Sequence, residues 1–274
     1  MADHRRTGIF QTLFVLVALG LTTLYALGSE DVGIADAAGP ASGTDVGEAQ
    51  VEYRTESVTY GEHFEAVAAY RVVDGSVVGA SLEHIELWSQ VHEILPVTYA
   101  NRIRQFGLFA EGPANTVAMV HQSGVDSSAW ILSIDVADAG DRELLAETLV
   151  HEVAHLATLH TGAFTFVPRI TEAECDGIML DIGCAHPGSL MAEWIEAFWP
   201  DVTAAPTFDA DAFVAQYATT APHEDLAETF LHWAHREPVP FGSVLADKYA
   251  MFDANPELVD LRDDLTALRA GHGH

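Results

Sequence analysis

The amino-acid sequence predicts an α+β domain, with a small mixed sheet, a central helix and a mainly helical C-terminal part. Three short segments, residues 102–109, 115–121 and 129–136, carry the loosely alternating apolar pattern of strands. They precede one long run, DRELLAETLVHEVAHLATLH, that is apolar on nearly every side and therefore predicts a helix through the core. Short strands followed mostly by helices are typical of the α+β class.

The individual helices follow from apolar spacing and from residues that begin or end a helix. Apolar residues at helical spacing predict a first helix from Ser81 to Leu95, and Pro96 ends it. Asp141 or Asp138 is the expected N-cap of the long central helix. Residues 122–128 form a polar turn between the second and third strands, and the chain is irregular beyond residue 161. Helices resume at residues 210–217, 224–235 and 256–270.

The N-terminal region predicts export from the cytoplasm. Residues 1–28 combine a basic start with an uncharged apolar run from Ile9 to Leu27, which fits either a cleaved signal peptide or an uncleaved membrane anchor. Residues 29–50 are small, acidic and glycine-rich, so we expect a flexible linker. The folded domain is expected to span residues 51–274 and to be secreted or held at the cell surface. Any membrane contact is expected through the N-terminal segment alone.

The charge of the chain restricts its partners. It has 41 acidic and 12 basic residues, and its net charge is −29. Such a surface repels nucleic acid, so a polynucleotide partner is not expected. Both salt adaptation and the lysine-poor usage of a GC-rich genome account for this acidity.

The two cysteines, Cys175 and Cys184, are nine positions apart. In an exported chain such a pair predicts a disulfide that closes a short loop. Two free buried thiols are the alternative. A thiolate metal site is disfavoured because the sequence has no CxxC spacing.

The pentad HEVAH predicts half of a metal site within the long helix. Residues four apart lie on the same face of a helix, so His151 and His155 can reach a single ion. Glu152 then lies beside that ion, where its carboxylate can take a proton from a water molecule. Two imidazole ligands and a neighbouring carboxylate are typical of a catalytic zinc site.

A second segment, PHEDLAETF, supplies candidates for the third ligand. Glu224 and Glu228 lie four apart on a predicted helix that starts near Pro222. One of them can bind the ion while the other accepts a hydrogen bond from a ligand imidazole. Alternatively, these carboxylates form the solvated first turn of a helix, where acidic residues are favoured by the helix dipole.

The two blocks together resemble the gluzincin metallopeptidases, in which HExxH is followed by ExxxE. The second block resembles the EDxAE signature of a group of bacterial zinc-binding metallopeptidases. It is also similar to the catalytic domain of anthrax lethal factor, in which a tyrosine precedes the ligand glutamate by seven residues. Tyr217 precedes Glu224 by the same interval. The resemblance covers about 35 residues, and the 69 positions between His155 and Glu224 are a long interval for the family.

The resemblance implies a zincin-like metallopeptidase fold with one catalytic zinc ion. The implied ligands are His151, His155 and Glu224. Glu152 would be the general base. Glu228 would support a ligand histidine, and Tyr217 would donate a hydrogen bond to the developing oxyanion.

These observations predict an exported zinc metalloendopeptidase that hydrolyses peptide or protein substrates. The strand directly before the long helix is the expected edge along which an extended peptide would bind. A non-catalytic, zinc-stabilised extracellular binding domain is one alternative. A zinc hydrolase that acts on a non-peptide amide, such as one in a cell wall, is the other.

Overall fold

The computed structural model describes residues 64–111 and 116–271. The predicted signal peptide or anchor, the linker and the predicted start of the domain at Val51 lie outside these residues. Within the described ranges, none of the helices has the length and apolar character needed to cross a membrane.

A five-stranded mixed sheet forms one layer of an α+β fold, as the sequence predicted. The three predicted strands are present, and two strands that were not predicted precede them. The strand order is β2-β1-β3-β5-β4, with β3 and β5 parallel and the other neighbours antiparallel. The strands are β1 (Phe64–Val73), β2 (Ser76–Val77), β3 (Ile103–Glu111), β4 (Ala118–Gln122) and β5 (Trp130–Asp135).

The expected edge strand was assigned wrongly from the sequence. The strand before the long helix, β5, lies inside the sheet, where β3 and β4 occupy both of its sides. The edge on this side is β4, which comes one strand earlier in the chain. All six residues of β5 are buried, which agrees with an interior strand. Because β4 pairs with the outer side of β5, the sheet edge lies at β4 and not at β5, the strand that directly precedes the long helix.

Seven helices complete the described fold. Asp141, one of the two predicted caps of the long helix, is confirmed, because its side chain accepts a hydrogen bond from the backbone N–H of Leu144. Ser81 caps the first helix in the same way, through the N–H of His84, although no cap was predicted there. The predicted helices that begin near residues 224 and 256 are also present. The helices are α1 (Leu82–Ile94), α2 (Val97–Ala100), α3 (Arg142–Thr158), α4 (Leu190–Phe198), α5 (Pro222–Ala234), α6 (Val244–Asp253) and α7 (Pro256–Gly271).

The region beyond residue 161 is more regular than the sequence indicated. It contains a second, three-stranded sheet, and the predicted disulfide joins Cys175 to Cys184, the latter in its central strand. Strands of only three residues are too short to display an alternating pattern. Both α4 and α6 were missed, although Ser189 and Ser243 cap them. The strands are β6 (Phe164–Phe166), β7 (Ile178–Leu180) and β8 (Gly183–Ala185), in the order β6-β8-β7.

The prediction of a helix at residues 210–217 is wrong. That segment is a turn that leads into a short 3-10 helix, Tyr217–Thr219. The Asp209 carboxylate accepts the backbone N–H of Asp211, which favours a turn. The carbonyl oxygen of Ala212 accepts a hydrogen bond from Nζ of Lys248 at 2.7 Å. Contacts from a distant helix therefore override the local helical preference.

The central helix α3 lies between the sheet edge and the C-terminal helices. It contacts β4 on one side and α5 on another. Leu145, Leu149 and Val153 are fully buried along it. Burial on nearly every side explains why its sequence lacks a polar face, and it holds the HEVAH residues at the junction of β4 and α5.

Candidate metal centre

Helix α3 places the two histidines of the HEVAH pentad side by side. One helical turn separates His151 from His155, and their ring centroids are 4.9 Å apart. Their Nε2 atoms approach to 3.2 Å. Both side chains are buried. Two imidazole nitrogens that face each other in the interior are the arrangement that the i and i+4 spacing predicted.

Glu224 at the start of α5 completes a three-residue cluster. Its Oε2 atom lies 3.1 Å from Nε2 of His151 and 3.6 Å from Nε2 of His155. Ligand atoms of these three residues all lie within 4.8 Å of one another, so the group could hold a metal ion. Tetrahedral bonds of about 2.05 Å place ligand atoms about 3.3 Å apart. The three separations lie close to that value.

Glu228 lies behind His151, one turn further along α5. Its Oε1 atom is 2.8 Å from Nδ1 of His151, on the side of the ring that faces away from Glu224. Such a hydrogen bond places the proton on Nδ1 and leaves Nε2 free to act as a ligand. Pro222 in the first turn of α5 and the extended backbone of Ala221 start this helix at the level of the histidines. The i and i+4 spacing of the two glutamates therefore places them around one imidazole.

Glu152 points from α3 towards the sheet edge. Its Oε2 atom accepts a hydrogen bond from the backbone N–H of Val120 in β4 at 2.9 Å. The side chain is buried, and burial raises the pKa of Glu152 to about 8. It is absent from the group of three that could hold a metal ion. This placement is the one predicted for a carboxylate that lies beside an ion.

The electrostatics of the cluster favour a positive charge at its centre. Burial alone would lower the pKa of His151, but the carboxylates of Glu224 and Glu228, which accept hydrogen bonds from its ring, raise the pKa well above the usual value. Burial likewise opposes ionisation of Glu224, and contacts with the surrounding histidines lower its pKa well below the usual value. Burial lowers the pKa of His155, which favours the neutral imidazole that a metal ion requires.

Tyr217 reaches the same cluster from the short 3-10 helix. Its ring centroid is 6.1 Å from that of His151. Burial raises the pKa of Tyr217 well above its usual value, and the carboxylates of Glu224 and Glu152 raise it further. The phenol therefore stays protonated and can donate a hydrogen bond. All six residues singled out for the metal site by the sequence thus lie around one point.

The sequence did not predict the contacts that two residues near the site, His223 and Asp225, make. His223 places Nε2 at 3.4 Å from Oε1 of Glu224, whereas Oε2 of that carboxylate faces His151 and His155. Its position immediately before Glu224 was the only available signal. Asp225 points into the core, where its Oδ2 atom accepts hydrogen bonds from the indole N–H groups of Trp194 and Trp199. It therefore takes no part in the cluster.

Side chains of two separate motifs, HEVAH in α3 and the two glutamates of α5, form the cluster. Residues 77 positions apart, His151 and Glu228, are in hydrogen-bond contact. Comparisons with protein-family models, with curated proteins and with solved structures found no match.

Proposed function

We propose that this protein is a zinc-dependent metallopeptidase that acts outside the cytoplasm. The observation that carries the proposal is the convergence of His151, His155 and Glu224, with Glu152 beside them and unused as a ligand. A structural zinc site has four protein ligands, whereas a catalytic site has three and an open position. The Cys175–Cys184 disulfide supports an oxidising compartment.

The ligand atoms suit zinc better than calcium or magnesium. Zinc prefers two imidazole nitrogens and one carboxylate oxygen in tetrahedral geometry. Calcium and magnesium bind mainly oxygen and need six or more ligands. When bound, zinc supplies a Lewis acid that lowers the pKa of a water molecule to about 7.

Glu152 is the group that accepts the proton of the attacking water. Its carboxylate is oriented by the N–H of Val120 through one oxygen, Oε2, so the other oxygen is available for proton transfer. A base whose pKa lies near the working pH exchanges protons most effectively. Glu152 then delivers the proton to the leaving amine.

Tyr217 and Glu228 assist without accepting that proton. The protonated phenol of Tyr217 is placed to donate a hydrogen bond to the oxyanion that develops on the substrate carbonyl. Glu228 holds the Nδ1 proton of His151 and so fixes the ring tautomer.

The sheet edge next to Glu152 supports a peptide as substrate. The backbone carbonyl of Val117 accepts a hydrogen bond from Asp135 in β5, and the N–H of Ser123 donates one to Ala129, the residue before β5. The backbone groups of Ala118, Val120 and Gln122 consequently face away from β5, because alternate residues of a strand face opposite sides. An extended peptide can pair with this edge. The N–H of Val120 donates a hydrogen bond to Glu152. A peptide paired with β4 at the level of Val120 would therefore have a peptide bond next to that carboxylate.

Zinc analysis combined with a digestion assay tests this function. Purified protein is measured for zinc by mass spectrometry and incubated with an unstructured protein, with and without a chelator. We expect about one zinc per chain and cleavage that the chelator abolishes and added zinc restores. Zinc binding without cleavage of any peptide would favour the binding domain. Release of amide fragments from cell-wall material, with peptides left intact, would favour the non-peptide hydrolase.

A further inference from the structure

Arg169 lies at the C-terminal end of the edge strand β4, where the chain turns towards β5. Its guanidinium donates hydrogen bonds to the side-chain oxygen of Gln122 and to the backbone carbonyl of Ser123. Both acceptors are neutral. Among the residues that the structure describes, no carboxylate forms an ion pair with Arg169. Its positive charge is therefore held in place without being neutralised by direct contact.

A second arginine, Arg104, acts on the same carboxylate as Arg169. Asp126 is close enough for Arg104 and Arg169 to lower its pKa, although its hydrogen bonds to Ser128 contribute more. Two guanidinium groups therefore act electrostatically on one carboxylate, which already accepts the N–H and hydroxyl of Ser128. The whole chain carries a net charge of −29. Within the described part of the chain, Arg169 therefore keeps a positive charge outside an ion pair on a strongly acidic protein.

The register of β4 relates Gln122, a hydrogen-bond partner of Arg169, to the proposed site of cleavage. Val120 marks the level of Glu152, and Gln122 lies two residues further along the strand. Two residues of strand span about 7 Å. A peptide paired with the outer edge would therefore have a residue level with Gln122, a hydrogen-bond partner of Arg169, about two residues from the scissile bond. Antiparallel pairing is the more stable kind, and it places the N-terminal part of the peptide beside Gln122.

We propose that Arg169 selects substrates with an acidic side chain about two residues before the scissile bond. This inference rests on the proposed peptidase function and adds a substrate class to it. The held guanidinium can pair with a carboxylate without first giving up an ionic partner. Because the guanidinium is already held by β4, less side-chain freedom is lost on binding.

Matched peptides test the selection directly. A cleavage site is mapped by mass spectrometry in a digest of an unstructured protein. Two quenched fluorescent peptides are then made around it, with Glu or Gln two residues before the scissile bond. Full-length, zinc-loaded protein should cleave the Glu peptide with a kcat/KM about three- to fivefold higher than the Gln peptide. The preference should weaken at high salt, because Arg169 is exposed.

Variants of Arg169 identify the source of the preference. Arg169→Gln should bring the ratio of the two peptides to about one, and Arg169→Glu should invert it. Arg169→Lys should keep a ratio above one. Arg142→Gln is the matched control, since Arg142 is exposed and pairs with Glu93 at 2.7 Å on another surface; this variant should keep the wild-type ratio. Each ratio compares two peptides on one sample, so partial misfolding of a variant cancels.

The outcomes separate this inference from the function on which it rests. Efficient cleavage with equal rates for both peptides would overturn the role of Arg169 and leave the peptidase function intact. A preference that survives Arg169→Gln, or that Arg169→Lys abolishes, would also overturn it. A preference for an acidic residue after the scissile bond would contradict antiparallel binding. Failure to cleave any peptide with zinc bound would refute the proposed function and this inference with it.

Discussion

Nζ of Lys248 lies 2.6 Å from Oδ2 of Asp225, and both side chains are fully buried. Lys248 is the only lysine in the chain. Asp225 directly follows the candidate ligand Glu224 and also accepts hydrogen bonds from the indoles of Trp194 and Trp199. This ion pair therefore ties the first turn of α5 to α4 and α6. It sets where α5 begins relative to the histidines of α3.

Removal of the lysine should destabilise the protein strongly. Lys248→Met leaves the Asp225 carboxylate buried without its cation, which typically costs about 3–5 kcal/mol of unfolding free energy. Urea unfolding followed by tryptophan fluorescence measures the loss. The double variant Asp225→Asn, Lys248→Met should recover most of it, because burial already opposes both charges, raising the pKa of Asp225 and lowering that of Lys248. A single variant as stable as wild type would contradict this role.

Glu228 should control metal affinity without being a ligand. Glu228→Gln weakens the hydrogen bond that holds Nδ1 of His151, so we expect zinc to bind about 10- to 100-fold more weakly. Competition with a coloured chelator gives the dissociation constant. Glu224→Ala is the reference variant and should bind zinc far more weakly than Glu228→Gln. If the two effects were reversed, Glu228 would be the ligand and Glu224 its support.

Glu152 should be needed for turnover and not for metal binding. Glu152→Gln keeps the size of the side chain and removes the group that accepts the proton. We expect kcat to fall by about 10²- to 10⁴-fold while zinc content stays at one per chain. Peptide hydrolysis and zinc analysis on the same sample separate the two effects. A variant that retains wild-type kcat would exclude Glu152 as the base.

Tyr217 should act on kcat alone. Tyr217→Phe removes the donor and keeps the ring that packs against His151. Loss of one oxyanion donor typically lowers kcat by about 10²- to 10³-fold, with little change in KM or in zinc affinity. Steady-state kinetics on a fluorescent peptide provide both constants. An unchanged kcat would remove the hydroxyl from the mechanism, whereas a loss of zinc would indicate that it supports the ligands.

Local sequence signals correctly predicted several features that depend on residues close together in the chain. The cap at Asp141 is an interaction over three residues, and Asp141 was one of the two predicted candidates. The approach of His151 and His155 follows from the helical repeat alone. The disulfide between Cys175 and Cys184 closes a loop of nine positions and was also predicted.

Residues far apart in the chain meet through packing, which no local pattern encodes. Spacing alone left open which of Glu224 and Glu228 faces the Nε2 atoms of the two histidines, and only the family resemblance implied Glu224. The placement of α5 against α3 puts Glu224 there. The same packing turned Asp225 away towards Lys248 and drew residues 210–217 out of a helix. Strand order made β4 the sheet edge and brought Arg169 to its end, 47 positions from Gln122. Motif spacing therefore determined the candidate chemistry, whereas tertiary packing decided the orientation of each carboxylate and the surface that a substrate would meet.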